Sequence, residues 1–114
     1  MDTTCVKIRL KSGSLDRVRE WARTLNETRR DEALATLRDE TAVLEAAFFD
    51  HTDDGDFLIY VMTVESEERS KDAVMQSTHP IDEYHRQFKR DAWQEIQQLE
   101  RLVHLERISE LPGG

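Results

Sequence analysis

The chain has little of what staples, breaks or anchors a fold. Of its 114 residues one is cysteine, two are proline and four are glycine, and aromatics make up 7%. A lone Cys5 closes no intramolecular disulfide, so nothing asks for an oxidising compartment. No apolar run approaches the ~20 residues of a membrane-spanning helix. Met1 to Thr4 lacks the charged region and apolar run of a secretory leader. A cytoplasmic location is expected. Proline and glycine are too sparse for a linker or a low-complexity segment. The length suits one domain over residues 1–114, large enough to supply its own core without a metal or prosthetic group.

A basic surface is also missing. The net charge is −8 and charged residues form 35% of the chain, against about 25% in typical domains. Arg17, Arg19, Arg29 and Arg30 alternate with Glu20, Asp31 and Glu32, so no basic stripe survives. Nucleic acid and anionic membranes are thereby disfavoured as partners.

What is present is ordered patterning. Val6, Ile8 and Leu10 alternate with Lys7 and Arg9, a strand signal. Ser14 reads as the cap of a helix carrying Leu15, Val18, Ala22 and Leu25, which resumes at Ala33, Leu34 and Leu37. The polar stretch Asn26 to Glu32 reads as a bend in one long helix. Val43 to Asp50 and Phe57 to Val64 form a hairpin around Asp53-Asp54-Gly55-Asp56. Ser66 caps a short helix through Met75. His79-Pro80 ends it and starts a longer one, with Ile81, Tyr84, Phe88, Ala92, Ile96, Leu99 and Leu102 on one face. Val103 to Ile108 reads as a last strand. The order is a βαββαβ ferredoxin-like α+β unit, a four-stranded antiparallel sheet with helices on one face.

Both faces of both hairpin strands are apolar. In the third strand Phe57, Ile59 and Val61 lie on one side and Leu58, Tyr60, Met62 and Val64 on the other; in the second, Leu44, Ala46 and Phe48 oppose Val43, Ala47 and Phe49. Helices cover only one face, so a second copy of the sheet is the expected cover and a homodimer the expected assembly. Which face points outward is open at this stage; with Phe49 and Met62 outward, charge placed there would weaken pairing.

The length, the element order and the two-sided hairpin resemble the dimeric α+β barrel superfamily. So do Val6-Lys7-Ile8-Arg9-Leu10-Lys11-Ser12-Gly13, Arg30-Asp31-Glu32-Ala33-Leu34 and His79-Pro80-Ile81-Asp82-Glu83-Tyr84-His85, which are similar to an uncharacterised family within it. The resemblance implies the fold and the dimer. The superfamily holds cofactor-free monooxygenases, haem-degrading enzymes, isomerases and sugar mutarotases. Haem degradation fits poorly, because its members use an asparagine on the first strand, where this chain has Lys7 and Arg9. Fold alone assigns no activity.

The richest constellation is His79, Asp82 and His85. Asp82 and His85 share a helix face three residues apart, where a carboxylate can orient an imidazole as a general base. His79 precedes the helix, near its free N–H groups. The plainer reading makes Asp82 a dipole partner, His79 a cap and His85 a core-edge residue. The spacing is not that of a zinc site, and the acidic turn lacks the length of a calcium loop, so no metal is expected. Arg9 could hold an anionic ligand or pair with Glu45. Trp21, Tyr60 and Tyr84 could line a pocket or pack the core.

Two readings follow. One is a cofactor-free acid–base enzyme or monooxygenase acting on a small polar or aromatic compound between sheet and helices. The other is a non-catalytic dimeric interaction module. An open cavity facing Asp82, His79 or His85 favours the first, and a filled core favours the second.

Overall fold

The computed structural model describes residues 1–113. Strand β1 (Asp2–Leu10) leads to helix α1 (Leu15–Arg23), a π-helical turn (Thr24–Thr28) and helix α2 (Arg30–Asp39). Strands β2 (Ala42–Thr52) and β3 (Gly55–Val64) follow, then helices α3 (Glu67–Gln76) and α4 (Pro80–Ala92), strand β4 (Trp93–Gln98) and a short 3₁₀ turn (Ile108–Glu110). The strands form one sheet in the order β2-β3-β1-β4, with neighbours antiparallel. Among the described residues no helix is long and apolar enough to cross a membrane.

Register decides the faces. Ile8 pairs with Leu58, Val6 with Tyr60 and Ala47 with Tyr60, so these side chains share a face, as directly opposed residues do. That face meets the helices: Ile8, Leu10, Leu58 and Tyr60 form the core with Val18 and Trp21 of α1 and Phe88 and Ala92 of α4. Phe88 and Ile8 are wholly buried, each worth about 1.5–3 kcal/mol in apolar burial. The Trp21 and Phe88 rings stack at 4.3 Å between centroids, 5° from parallel. The opposite, open face carries Cys5, Lys7, Arg9, Leu44, Ala46, Phe48, Phe57, Ile59 and Val61. Phe49 and Met62 therefore lie on the helix side, and charge there does not probe an outward surface.

The hairpin turn is built as the sequence indicates. Gly55 sits at φ +132, and a Cβ there would come within 3.0 Å of Arg9 Nη1. Ser66 caps α3 by accepting the Arg69 backbone N–H at 3.2 Å, and Pro80 occupies the first turn of α4. Ser14 departs from expectation. Its hydroxyl donates back to the Lys11 carbonyl at 2.7 Å, so it makes no side-chain cap.

Other elements need correction. The helix expected to bend across Asn26 to Glu32 instead breaks: the π-helical turn leads to Arg29 at φ −124, ψ 31, and α2 starts afresh. The last helix does not reach Leu102. It stops at Ala92, and Trp93 to Gln98 pair with β1. The segment 93–98 has fair helix propensity, but pairing satisfies a β1 edge that would otherwise be bare, and tertiary context overrides propensity. The strand expected at Val103 to Ile108 is absent; residues 99–107 form an irregular arm.

Candidate functional site

Between the sheet and helices α2, α3 and α4 lies a cavity of about 430 Å³. Tyr60 and Met62 of β3 form its floor with Glu45 of β2, and Asp82, His85 and Lys89 line it from α4. Glu40 closes the end of α2, and Val74 and Ile81 supply apolar wall. A neighbouring cavity of about 230 Å³, lined by Trp21, Asn26, Arg30 and Leu37, shares Leu25, Ala33 and Glu45 with it.

Local backbone explains how the carboxylates meet. Thr41, buried after α2, takes the left-handed conformation at φ 57, a costly one for a β-branched residue. Three hydrogen bonds to the segment Glu65–Ser66 hold it there. Its hydroxyl donates to the Ser66 carbonyl at 3.3 Å and accepts from the Ser66 N–H at 3.2 Å, and its carbonyl accepts the Glu65 N–H at 2.8 Å. This turn leaves Glu40 at the cavity mouth and sends β2 inward to place Glu45 on the helix-facing side, opposite Met62.

The charges tune one another. Burial, then the neighbouring Glu45 and Asp82, raises the Glu40 carboxyl to about 7, with Lys89 opposing. Burial raises Glu45 as well, and Lys89 again opposes. The Tyr60 hydroxyl donates to Glu45 Oε1. Burial lowers Lys89, while Glu45 and Glu40 pull it back up. A carboxyl near 7 can both give and take a proton at neutral pH, which general acid–base chemistry needs. Among the described residues no group of three or more His, Cys, Asp or Glu side chains converges to hold a metal ion.

His85 plays a different part from the one expected. Its Nδ1 accepts a hydrogen bond from Trp21 Nε1 at 3.2 Å. Asp82 instead accepts from the Ser77 hydroxyl. Burial lowers the imidazole to about 4, so the ring is neutral at pH 7 and a poor base. With Nδ1 accepting, the proton sits on Nε2, and His85 offers the cavity a donor.

The remaining sequence candidates scatter. His79 Nε2 lies 2.7 Å from Asp39 Oδ2, and that hydrogen bond raises its pKa; it does not line the cavity. Tyr84 sits in an outer network, donating to Thr24 Oγ1 at 3.0 Å and accepting from Arg17 Nη1 at 3.2 Å. Trp21 lines the smaller cavity, and Tyr60 the larger. Arg9 lies across the sheet on the open face, stacked over Phe57 at 4.6 Å and donating to the Asp54 carbonyl at 2.8 Å. It pairs with Glu95 at 3.9 Å, not with Glu45, which faces the helices.

Sequence reasoning missed Glu40 and Lys89, and named Glu45 only as one possible partner for Arg9. The signals were there. Glu45 is a charge inside the apolar run Val43 to Phe49 at a position whose neighbours two away, Val43 and Ala47, are apolar. Lys89 lies one helical turn beyond His85.

A family model described as a family of unknown function (DUF6176) matches residues 1–110. No curated protein matches the chain. Among solved structures, protein Atu4242 from Agrobacterium tumefaciens is similar at a TM-score of 0.62 and 14% identity, over 95% of this chain and 96% of that one. PA3566 from Pseudomonas aeruginosa is similar at a TM-score of 0.52 and 17% identity, over 89% and 93%. At these identities the likeness speaks to fold.

Proposed function

We propose a function for a chain that belongs to DUF6176, a family of unknown function: it binds a small polar or aromatic molecule in the cavity between sheet and helices and performs cofactor-free proton transfer there. The observation that carries this reading is the placement of Glu40, Glu45, Asp82 and Lys89 around one cavity of about 430 Å³ with an apolar wall. Such a cavity is large enough for a small ligand. Glu40, close to half-ionised at neutral pH, is the proton shuttle. Glu45, held by the Tyr60 hydroxyl, and Lys89 set the field around it. Neutral His85 donates from Nε2 to an oxygen of the ligand. Arg9, His79 and Tyr84 are left out of this site, since each is engaged elsewhere. An open cavity, rather than a filled core, favours this reading over a pure interaction module.

The fold reading goes with it. The strand order β2-β3-β1-β4, antiparallel throughout, supports a ferredoxin-like unit of the dimeric α+β barrel superfamily. The open face supports the homodimer: Phe48 is 60% exposed and Leu44 47%, more apolar surface than a monomeric sheet face needs to show. Cys5 as a free thiol suits the cytoplasm.

A fragment screen followed by amide chemical shifts tests the site. Binders should perturb residues of β2, β3 and α4 around Glu45, Tyr60 and Lys89, and Glu45→Gln should weaken them at least about tenfold, the scale of one charged hydrogen bond. A screen whose hits all map elsewhere would remove the site.

A further inference from the structure

Asp82, His85 and Lys89 follow one another along α4 at spacings of three and four residues, so they form one stripe on the helix. That stripe lines the cavity of about 430 Å³. The chain has four lysines, and the other three lie elsewhere: Lys7 over Phe57 on the open sheet face, Lys11 donating to the Arg90 carbonyl, and Lys71 exposed on α3. A lysine kept for solubility extends into water, and one kept for stability pairs with a carboxylate. Lys89 does neither. It is half-buried, with its nitrogen 4.9 Å from the centroid of the Trp93 ring, and among the described residues no carboxylate forms a salt bridge with it. Burial favours the neutral amine; Glu45 and Glu40 oppose this only in part, and the like charge of Arg86 adds to it. A neutral amine carries the lone pair a nucleophile needs.

We propose that Lys89 is a nucleophile in this cavity, and that the substrate is an aldehyde or ketone bearing a hydrogen on the carbon next to the carbonyl. The inference rests on the cavity reading above and gives that site its substrate class. The Lys89 nitrogen adds to the carbonyl carbon while His85 Nε2–H holds the oxygen. Glu40, half-ionised near neutral pH, takes a proton from the nitrogen and gives one to the oxygen, and water leaves as the C=N bond forms. One amine and one carbonyl become one imine and one water; nothing is oxidised or reduced. Once protonated, the imine draws the electron pair of the neighbouring C–H bond toward nitrogen. The Glu40 carboxylate removes that proton to leave an enamine, and its return restores the imine. Water then releases the carbonyl compound and the free lysine. A lysine that only balanced charge would lie against Glu40 or Glu45, and Lys89 forms a salt bridge with neither.

Benzylacetone, a ketone whose ring suits the apolar wall of Val74 and Ile81, is the probe. The unaltered full chain is incubated with it at neutral pH in cyanoborohydride, which reduces an imine to a stable secondary amine, and peptide mass mapping locates the adduct. Lys89 should carry it at least about tenfold more than Lys7, Lys11 or Lys71, because position and free-amine fraction both favour it. The Met1 amino group, ordinarily the most reactive amine at this pH, is the internal reference. The mapping needs no variant, so a loss of fold cannot imitate the result. In heavy water the protein should also exchange the hydrogens next to the benzylacetone carbonyl for deuterium. Lys89→Arg, which keeps the charge and removes the nucleophile, should abolish that exchange. Labelling spread evenly over the four lysines, or exchange that survives Lys89→Arg, overturns the inference, and fragments that still map to β2, β3 and α4 leave the cavity reading standing. Benzylacetone shifts that avoid this cavity altogether would remove both.

Discussion

Trp21 Nε1 of α1 donates to His85 Nδ1 of α4 at 3.2 Å, a bond that joins the two helices and sets which nitrogen of the neutral imidazole carries the proton. The indole is 97% buried on the stack with Phe88, so its N–H has few alternatives to His85. Replacing Trp21 by Phe keeps an aromatic ring in the stack and removes the donor. The expected cost is about 1–3 kcal/mol in urea unfolding, for a smaller ring and an orphaned acceptor. The ¹⁵N shifts of His85 should change from a single tautomer to a mixture. An unchanged single tautomer would mean that the indole does not set it.

His85 also makes stability depend on pH. Its pKa is about 4 in the folded chain against an ordinary 6.5. Between those values the unfolded chain binds more protons, so stability falls as pH falls from 6.5 towards 4. The loss should be on the order of 2 kcal/mol. His85→Gln should flatten this part of the profile, measured as denaturation midpoints across pH. A variant with the same acid slope as the parent would assign the slope to other groups.

Glu40 works with the opposite sign. Its pKa is raised from 4.5 to about 7. Between those values the folded chain holds more protons, and stability falls as pH rises through that window and stays reduced above it. Glu40→Gln should therefore stabilise the protein at pH 8 by on the order of 1 kcal/mol, allowing for solvent screening, and make little difference at pH 4. Equal effects at both pH values would contradict a raised carboxyl.

The open sheet face gives a prediction of its own. Phe48, on the edge strand β2 and 60% exposed, touches no core. Phe48→Asp should leave unfolding within about 0.5 kcal/mol at concentrations where the chain is monomeric, while weakening association in sedimentation experiments. Phe49→Asp lies on the helix side beside Arg19, 5.9 Å away, and should affect association less.

Local signals carried much of the fold. Alternation placed β1, β2 and β3, Gly55 marked the hairpin turn, and Pro80 marked the start of α4. These are decided within a few residues, by sterics or by a single apolar face. The end of α4 was not legible, because Trp93 to Gln98 continue a helical spacing of apolar residues and only the free edge of β1 turns them into a strand. Within the site, Asp82, His85 and Tyr60 were legible as candidates, since spacing alone puts Asp82 and His85 on one helix face. The role of His85 was not. It depends on Trp21, 64 residues away in sequence. The Glu40–Glu45 pairing depends on the left-handed turn at Thr41, which no motif announces.

The proposed chemistry requires a tuned carboxyl in the cavity, and ¹³C-detected titration of the glutamate side chains measures it directly. Glu40 should titrate near 7. Its midpoint should fall when Glu45→Gln removes a neighbouring negative charge and rise when Lys89→Met removes the opposing positive one. Glu40 titrating at its ordinary 4.5 and ignoring both substitutions would contradict the proposed site.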